Sequence, residues 1–223
     1  MVRMSPWYLP VGDEATVFRG AHAPKLAVLL KGPTGVGKTR FVEAMADELG
    51  VELVTVACHD LTAADLVGLH LLEGDRTVRA DGLLTQAACI GALCYLDEVV
   101  EARQDTTVVL HALTDHRHQL PIERLDTVLE AATTLGLAVS YNPGHQSLLK
   151  DLKDSTRQRF VGIELGFPPP EVEREAVAHE AGVDAATTEQ LIAPWARPSA
   201  ARSSAAFARS PRRERWWPSA GWC

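Results

Sequence analysis

Short apolar runs alternate with stretches of helical periodicity through the first 193 residues. Lys25 to Leu30 (KLAVLL) is an apolar run of the length of a buried strand. From Lys38 to Leu49 the apolar residues Phe41, Val42, Met45, Ala46 and Leu49 fall on one helical face, and Gly50 ends the pattern. A glycine-rich turn joins the two, so the unit reads strand, turn, helix. Val51 to Ala57 predicts a second strand, Leu83 to Ile90 a helix, Ala92 to Leu96 a third strand and Thr106 to His116 another helix. Leu135 to Tyr141 and Phe160 to Leu165 supply two more strands, and Glu171 to Ala181 is helical after the step Phe167-Pro168-Pro169-Pro170. Strands alternating with helices predict an α/β fold with a parallel sheet covered on both faces.

Composition narrows the class. With 223 residues, 46% apolar, 23% charged and a net charge of −7, the chain has the make-up of a globular protein. No apolar run approaches the roughly 18 residues needed to span a bilayer, so no membrane insertion is expected. Met1 to Gly12 lacks the basic patch and apolar core of a secretion signal. Cysteines at 58, 89, 94 and 223 form no CxxC pair, which fits a reducing, cytoplasmic setting. The acidic balance argues against a nucleic-acid-coating role.

That average hides a break. Residues 194 to 223 hold four of the five tryptophans and six arginines against one acid, Glu214, for a net of +5. Residues 1 to 193 hold 16 basic and 28 acidic residues, a net of −12. The basic segment shows no helical or strand period and is read as an irregular tail. An out-of-frame reading of GC-rich codons is the favoured origin of this tail, since Arg, Pro, Ala, Ser and Trp are enriched together, and a basic nucleic-acid or membrane arm is the alternative. The expected organisation is a core over 1–167, the start of a helical region over 168–193 and the tail over 194–223.

The turn after the first strand is Gly32-Pro33-Thr34-Gly35-Val36-Gly37-Lys38-Thr39, a full GxxxxGK[ST] match in the strand-to-helix setting that the motif requires. Glycines let backbone N–H groups turn inward around phosphates, and the helix N-terminus adds its positive dipole end. Lys38 then reaches the β/γ oxygens and Thr39 can ligate Mg²⁺, which makes ATP with Mg²⁺ the expected cofactor pair. The third strand delivers Asp97 and Glu98 to the C-terminal edge of the sheet, where open α/β sheets bind ligands. Asp97 is assigned to the metal and Glu98 to the attacking water, a role that needs a carboxylate not spent on the metal. The next strand ends at Asn142, before Pro143-Gly144, at the same edge. Arg157 and Arg159 precede the last strand.

Together these segments resemble the AAA+ ATPases, and within the MoxR branch the CbbQ/NirQ/NorQ family. The resemblance rests on GPTGVGKTRFVEAMA (32 to 46), ACHDLTAADLVG (57 to 68), CYLDEVVEARQDTTVVLHALTD (94 to 115) and SYNPGHQSLLKDLKDSTRQRF (140 to 160). It implies a P-loop NTPase core, Asn142 as the sensor 1 residue, and Arg159 or Arg157 as an arginine finger offered to a neighbouring subunit. It further implies a hexameric ring that works with a von Willebrand A-domain co-protein to activate a client enzyme, Rubisco or nitric oxide reductase. Leu69, Gly82-Leu83-Leu84 and residues 131 to 136 depart from the family pattern. The larger departure is that the C-terminal helical lid, with its sensor 2 arginine, is largely missing from the sequence. Two classes follow: a remodelling ATPase, or a nucleotide-holding scaffold impaired in hydrolysis by loss of the lid. His59, His111, His116 and His118 match no zinc spacing and are read as solvated or hydrogen-bonded.

Overall fold

The computed structural model describes residues 6–58, 61–73, 76–99, 104–115, 118–122, 127–142 and 158–192. Five parallel strands form the central sheet in the order β2 (Leu53–Ala57), β5 (Leu93–Asp97), β8 (Gly136–Tyr141), β1 (Ala27–Lys31), β9 (Phe160–Glu164). The three central strands are buried almost end to end because helices cover both faces, which is why they read as continuous apolar runs rather than alternating ones.

Alternate residues of those strands feed two separate cores. Val28 and Leu30 of β1, Leu93 and Tyr95 of β5, and Ala138 of β8 pack with Phe41, Val42, Met45 and Ala46 of helix α2 (Lys38–Leu49). Phe18 of α1 (Glu14–His22) joins them, its ring edge-on to Phe41 with centroids 5.5 Å apart. Ala27 and Leu29, Cys94 and Leu96, and Leu137 and Val139 face the other way, onto Leu66 and Val67 of α3 (Ala63–Val67), Leu84 and Ala87 of α4 (Leu83–Ile90) and Leu110 and Leu113 of α5 (Gln104–Leu113). A two-residue side-chain period thus assigns every second strand residue to the P-loop side of the sheet.

Helices α2 and α4 coincide with their predicted ranges. Gly50, in the left-handed region at φ 65°, ends α2 by donating to Ala46 O and Asp47 O, the arrangement that favours glycine just past a helix. Two antiparallel hairpins stand outside the sheet, β3 (Gly68–Glu73) with β4 (Arg76–Asp81) and β6 (Gln119–Ile122) with β7 (Thr127–Glu130). Neither was legible in the apolar pattern, nor was α1.

The chain divides into two compact units, 1–172 and 173–223. Helix α6 (Pro170–Ala181) begins on a proline, whose missing N–H costs nothing in a first turn. In the second unit α7 (Ala185–Ile192) starts beneath Asp184, which accepts from Thr187 N at 2.8 Å, and Arg174 of α6 pairs with Glu189 of α7. The tail over 194–223 lies outside the described residues.

Candidate active site

The loop from Gly32 to Thr39 runs from the end of β1 to the first turn of α2. Gly35 and Gly37 have φ of 80° and 91°, values that a side chain with a Cβ tolerates poorly. Around both positions there is open space where a Cβ would stand. Gly37 is also the N-cap of α2, and no side chain caps that helix. The result is a concave turn of backbone at the positive end of a helix, a cradle for phosphate.

Lys38 crosses this cradle. Its ammonium donates to Gly32 O at 2.8 Å and to Pro33 O at 3.0 Å, so the loop's own carbonyls hold it. Burial lowers the Lys38 pKa from the usual lysine value, and the negative charges of Asp97 and Glu98 act in the opposite sense. The two acids at the end of β5 therefore share a field with the lysine of the loop.

Asp97 is set by hydroxyls. Tyr95 OH donates to Asp97 Oδ1 at 2.9 Å, and Ser140 Oγ donates to the same oxygen. Ser140 also accepts the backbone N–H of Glu98 at 2.8 Å. Burial, with smaller contributions from its neighbours, pushes the Tyr95 phenol well above its ordinary range, so it remains a proton donor. Thr39 lies near that phenol and acts against the rise. Glu98 turns off the strand with φ 56°, an uncommon conformation for a residue with a side chain.

At the end of β8, Asn142 Nδ2 donates to Thr34 Oγ1, which joins the tip of that strand to the glycine-rich loop. Gly32 N donates to Tyr141 O at 3.3 Å and Leu165 N to Lys31 O at 2.8 Å, so the start of the loop is tied to β8 on one side and to the chain leaving β9 on the other. The structure therefore brings together Thr34, Lys38, Thr39, Asp97, Glu98 and Asn142. It does not bring Arg159 into that group: the exposed Arg159 guanidinium donates to His111 O at the end of α5, at 3.0 Å. Arg157 lies outside the described residues, as do His59 and His116.

Residues 27–160 match the AAA domain family (dynein-related subfamily). The chain is 58% identical over 193 residues to protein CbbQ of Hydrogenophilus thermoluteolus, spanning 86% of this chain and 72% of that protein. It is 60% identical over 189 residues to protein NorQ of Paracoccus denitrificans, spanning 84% and 70%, and 54% identical over 189 residues to the denitrification regulatory protein NirQ of Stutzerimonas stutzeri, spanning 84% and 69%. The chain belongs to the CbbQ/NirQ/NorQ family of AAA+ ATPases.

As a member of the CbbQ/NirQ/NorQ family it is a nucleotide-binding, ATPase-type protein. A solved structure from Cytophaga hutchinsonii, described as a candidate ATPase, superposes with a TM-score of 0.62 at 19% identity over 78% of this chain and about half (52%) of its own length, which shows a shared fold. Among the described residues no helix is long and apolar enough to cross a membrane.

Two polar residues of the site escaped the sequence reading. Tyr95 sits inside the apolar run of β5 and Ser140 inside that of β8, where each reads as packing. The available signal was their position: each lies two residues before a site residue, Asp97 and Asn142, and so on the same strand face.

Proposed function

We propose that the protein binds and hydrolyses Mg·ATP and that hydrolysis drives the remodelling of a partner enzyme. The observation that carries this reading is the convergence of Lys38, the Asp97-Glu98 pair and Asn142 on one glycine-rich loop, because a module that only held nucleotide would need neither Glu98 nor Asn142. The donor set suits a magnesium-bound triphosphate: a concave run of backbone, one lysine, a threonine hydroxyl at the start of α2, and a carboxylate fixed by Tyr95 and Ser140. When bound, Mg²⁺ would neutralise charge on the phosphate oxygens. Gly32, Pro33, Thr34, Gly35, Val36 and Gly37 would wrap the phosphates, and Lys38 would leave the carbonyls of Gly32 and Pro33 for phosphate oxygens. Thr39 and Asp97 would hold the metal. Glu98 would accept the proton of the attacking water, with Asn142 orienting that water beside Thr34.

An arginine finger acts only when a neighbour presents it, and such residues contribute roughly 10³ to 10⁵ in rate. Arg159, exposed and resting on α5 of its own chain, is the proposed finger, with Arg157 as the alternative. The ring is proposed to be a homo-hexamer acting in the cytoplasm with a von Willebrand A-domain co-protein on a client of the Rubisco or nitric oxide reductase kind, neither nucleic acid nor membrane being a partner. The proposed domain division is an ATPase core over 1–167, the start of the lid over 168–193 and a basic tail over 194–223.

Steady-state phosphate release by the native chain and by Glu98→Gln tests the reading. Release that rises with protein concentration and is lost in Glu98→Gln supports it; equal release by both sinks it. Mixing Arg159→Ala with Glu98→Gln subunits should recover part of the activity, since a hybrid interface joins an intact finger to an intact base. Co-assembly without recovery would move the assignment to Arg157.

A further inference from the structure

We infer that Ser140, backed by Tyr95, is the positioning residue that sets the Asp97-Glu98 pair from the neighbouring strand. Through it, β5 and β8 present their acids and Asn142 as one unit. The inference deepens the ATPase reading and rests on it.

Strands β5 and β8 run side by side, with Leu96 opposite Val139, so the next step of the ladder faces Asp97 with Ser140. Ser140 is fully buried, at 0% exposure, where a hydroxyl is costly unless its hydrogen bonds are made. Its proton goes to Asp97 Oδ1 and its oxygen takes the Glu98 N–H at 2.8 Å. One side chain thereby satisfies the carboxylate of the first acid and the backbone of the second. Tyr95, also at 0% exposure, adds a second proton to Asp97 Oδ1 at 2.9 Å. Two donors on one oxygen pin the carboxylate and direct its other oxygen away from them. The backbone bond matters equally, because Glu98 sits at φ 56°, and its N–H anchored on Ser140 holds the turn that carries the carboxylate off the strand.

Ser140 lies in β8 and Asn142 directly follows its last residue, two positions further along the chain. The residue that grips the acids and the residue that grips Thr34 of the loop are therefore carried by the same strand and its first following residue. A serine that merely filled space would hold the fold and leave turnover and metal dependence untouched.

The test uses the full chain with Ser140→Ala, Ser140→Thr and Tyr95→Phe, each also assayed by thermal melting. Ser140→Ala should lower kcat by about tenfold to a hundredfold, the effect of leaving a buried polar group unpaired, with KM for ATP changed less than about threefold. Ser140→Thr, which keeps the hydroxyl, should recover most of the loss. A second readout needs no turnover: the Mg²⁺ concentration that half-saturates binding of a fluorescent ATP analogue should rise several-fold in Ser140→Ala and in Tyr95→Phe. A folded Ser140→Ala protein with native kcat and native Mg²⁺ half-saturation overturns the inference. If Ser140→Ala does not fold, native Mg²⁺ half-saturation in Tyr95→Phe overturns it. Equal phosphate release by the native chain and Glu98→Gln would instead refute hydrolysis, and the Mg²⁺ titration would still decide the role of Ser140.

Discussion

Replacing Gly32 with alanine puts a methyl group where the glycine-rich loop leaves β1 between two neighbouring segments. A Cβ built there stands 2.5 Å from Leu165 O and 3.1 Å from Val36 Cγ1, and ordinary contact begins at 3.4 Å, so the backbone must give by about 0.9 Å. It has little room to do so. Gly32 N is bonded to Tyr141 O, and Leu165 N to Lys31 O at 2.8 Å, so either retreat stretches a bond between strands. Overpacking of this kind costs about 1–3 kcal/mol. Alanine returns about 0.4–1 kcal/mol by restricting the unfolded chain. The net loss, up to about 2.6 kcal/mol, corresponds to a melting temperature lower by up to about 10 °C for a chain of this size. Nucleotide affinity should fall as well, because the backbone proposed to wrap the phosphates shifts with Gly32. Gly162→Ala is the control: it lies on the exposed edge strand β9, with nothing within 4 Å of the added methyl, and should melt at or slightly above the native temperature. Thermal melts and a fluorescent-nucleotide titration of both variants decide the matter. A Gly32→Ala protein that melts at or above the native temperature with unchanged affinity would refute the reasoning.

Lys38→Ala should leave the fold intact and weaken nucleotide binding by about tenfold or more, the scale of hydrogen bonds made by a charged donor; unchanged affinity in a folded variant would count against the phosphate assignment. Acid stability should depend on Glu14. Burial alone would raise its pKa, but the N–H groups of Val11, Gly12 and Glu14 itself and the Tyr8 hydroxyl hold it below the usual carboxylate range. That stabilisation is complete above the unfolded-state pKa and is lost as pH falls through the lower folded-state value, so the melting temperature should drop from about pH 5 downward, and less steeply in Glu14→Gln. In a Cys223→Ser chain, a maleimide should label exposed Cys89 quickly, whereas Cys58 and Cys94, both pushed by burial up to about 12, should react only in denaturant. Mass spectrometry showing two or more adducts on the native chain would refute that ordering.

What the sequence determined alone were the features whose physics is local. The glycine-rich loop is legible because glycines adopt its positive φ values far more readily than other residues, and α2 because Phe41, Val42, Met45 and Ala46 share one face and Gly50 ends it. The acids at the end of β5 and Asn142 just past β8 are legible because each closes an apolar run at the sheet edge. The hairpins β3–β4 and β6–β7 were not, since neither presents the long buried run of a central strand. The roles of Tyr95 and Ser140 were not either. In an apolar run a buried hydroxyl looks like packing, and whether it has a partner depends on which strand lies alongside. Ser140 meets Asp97 across 43 residues of chain only because the strand order places β5 next to β8 in a register that sets them opposite each other. The same residues on strands two places apart would leave the serine unpaired and the acids unbraced, so this part of the site exists only in the tertiary structure.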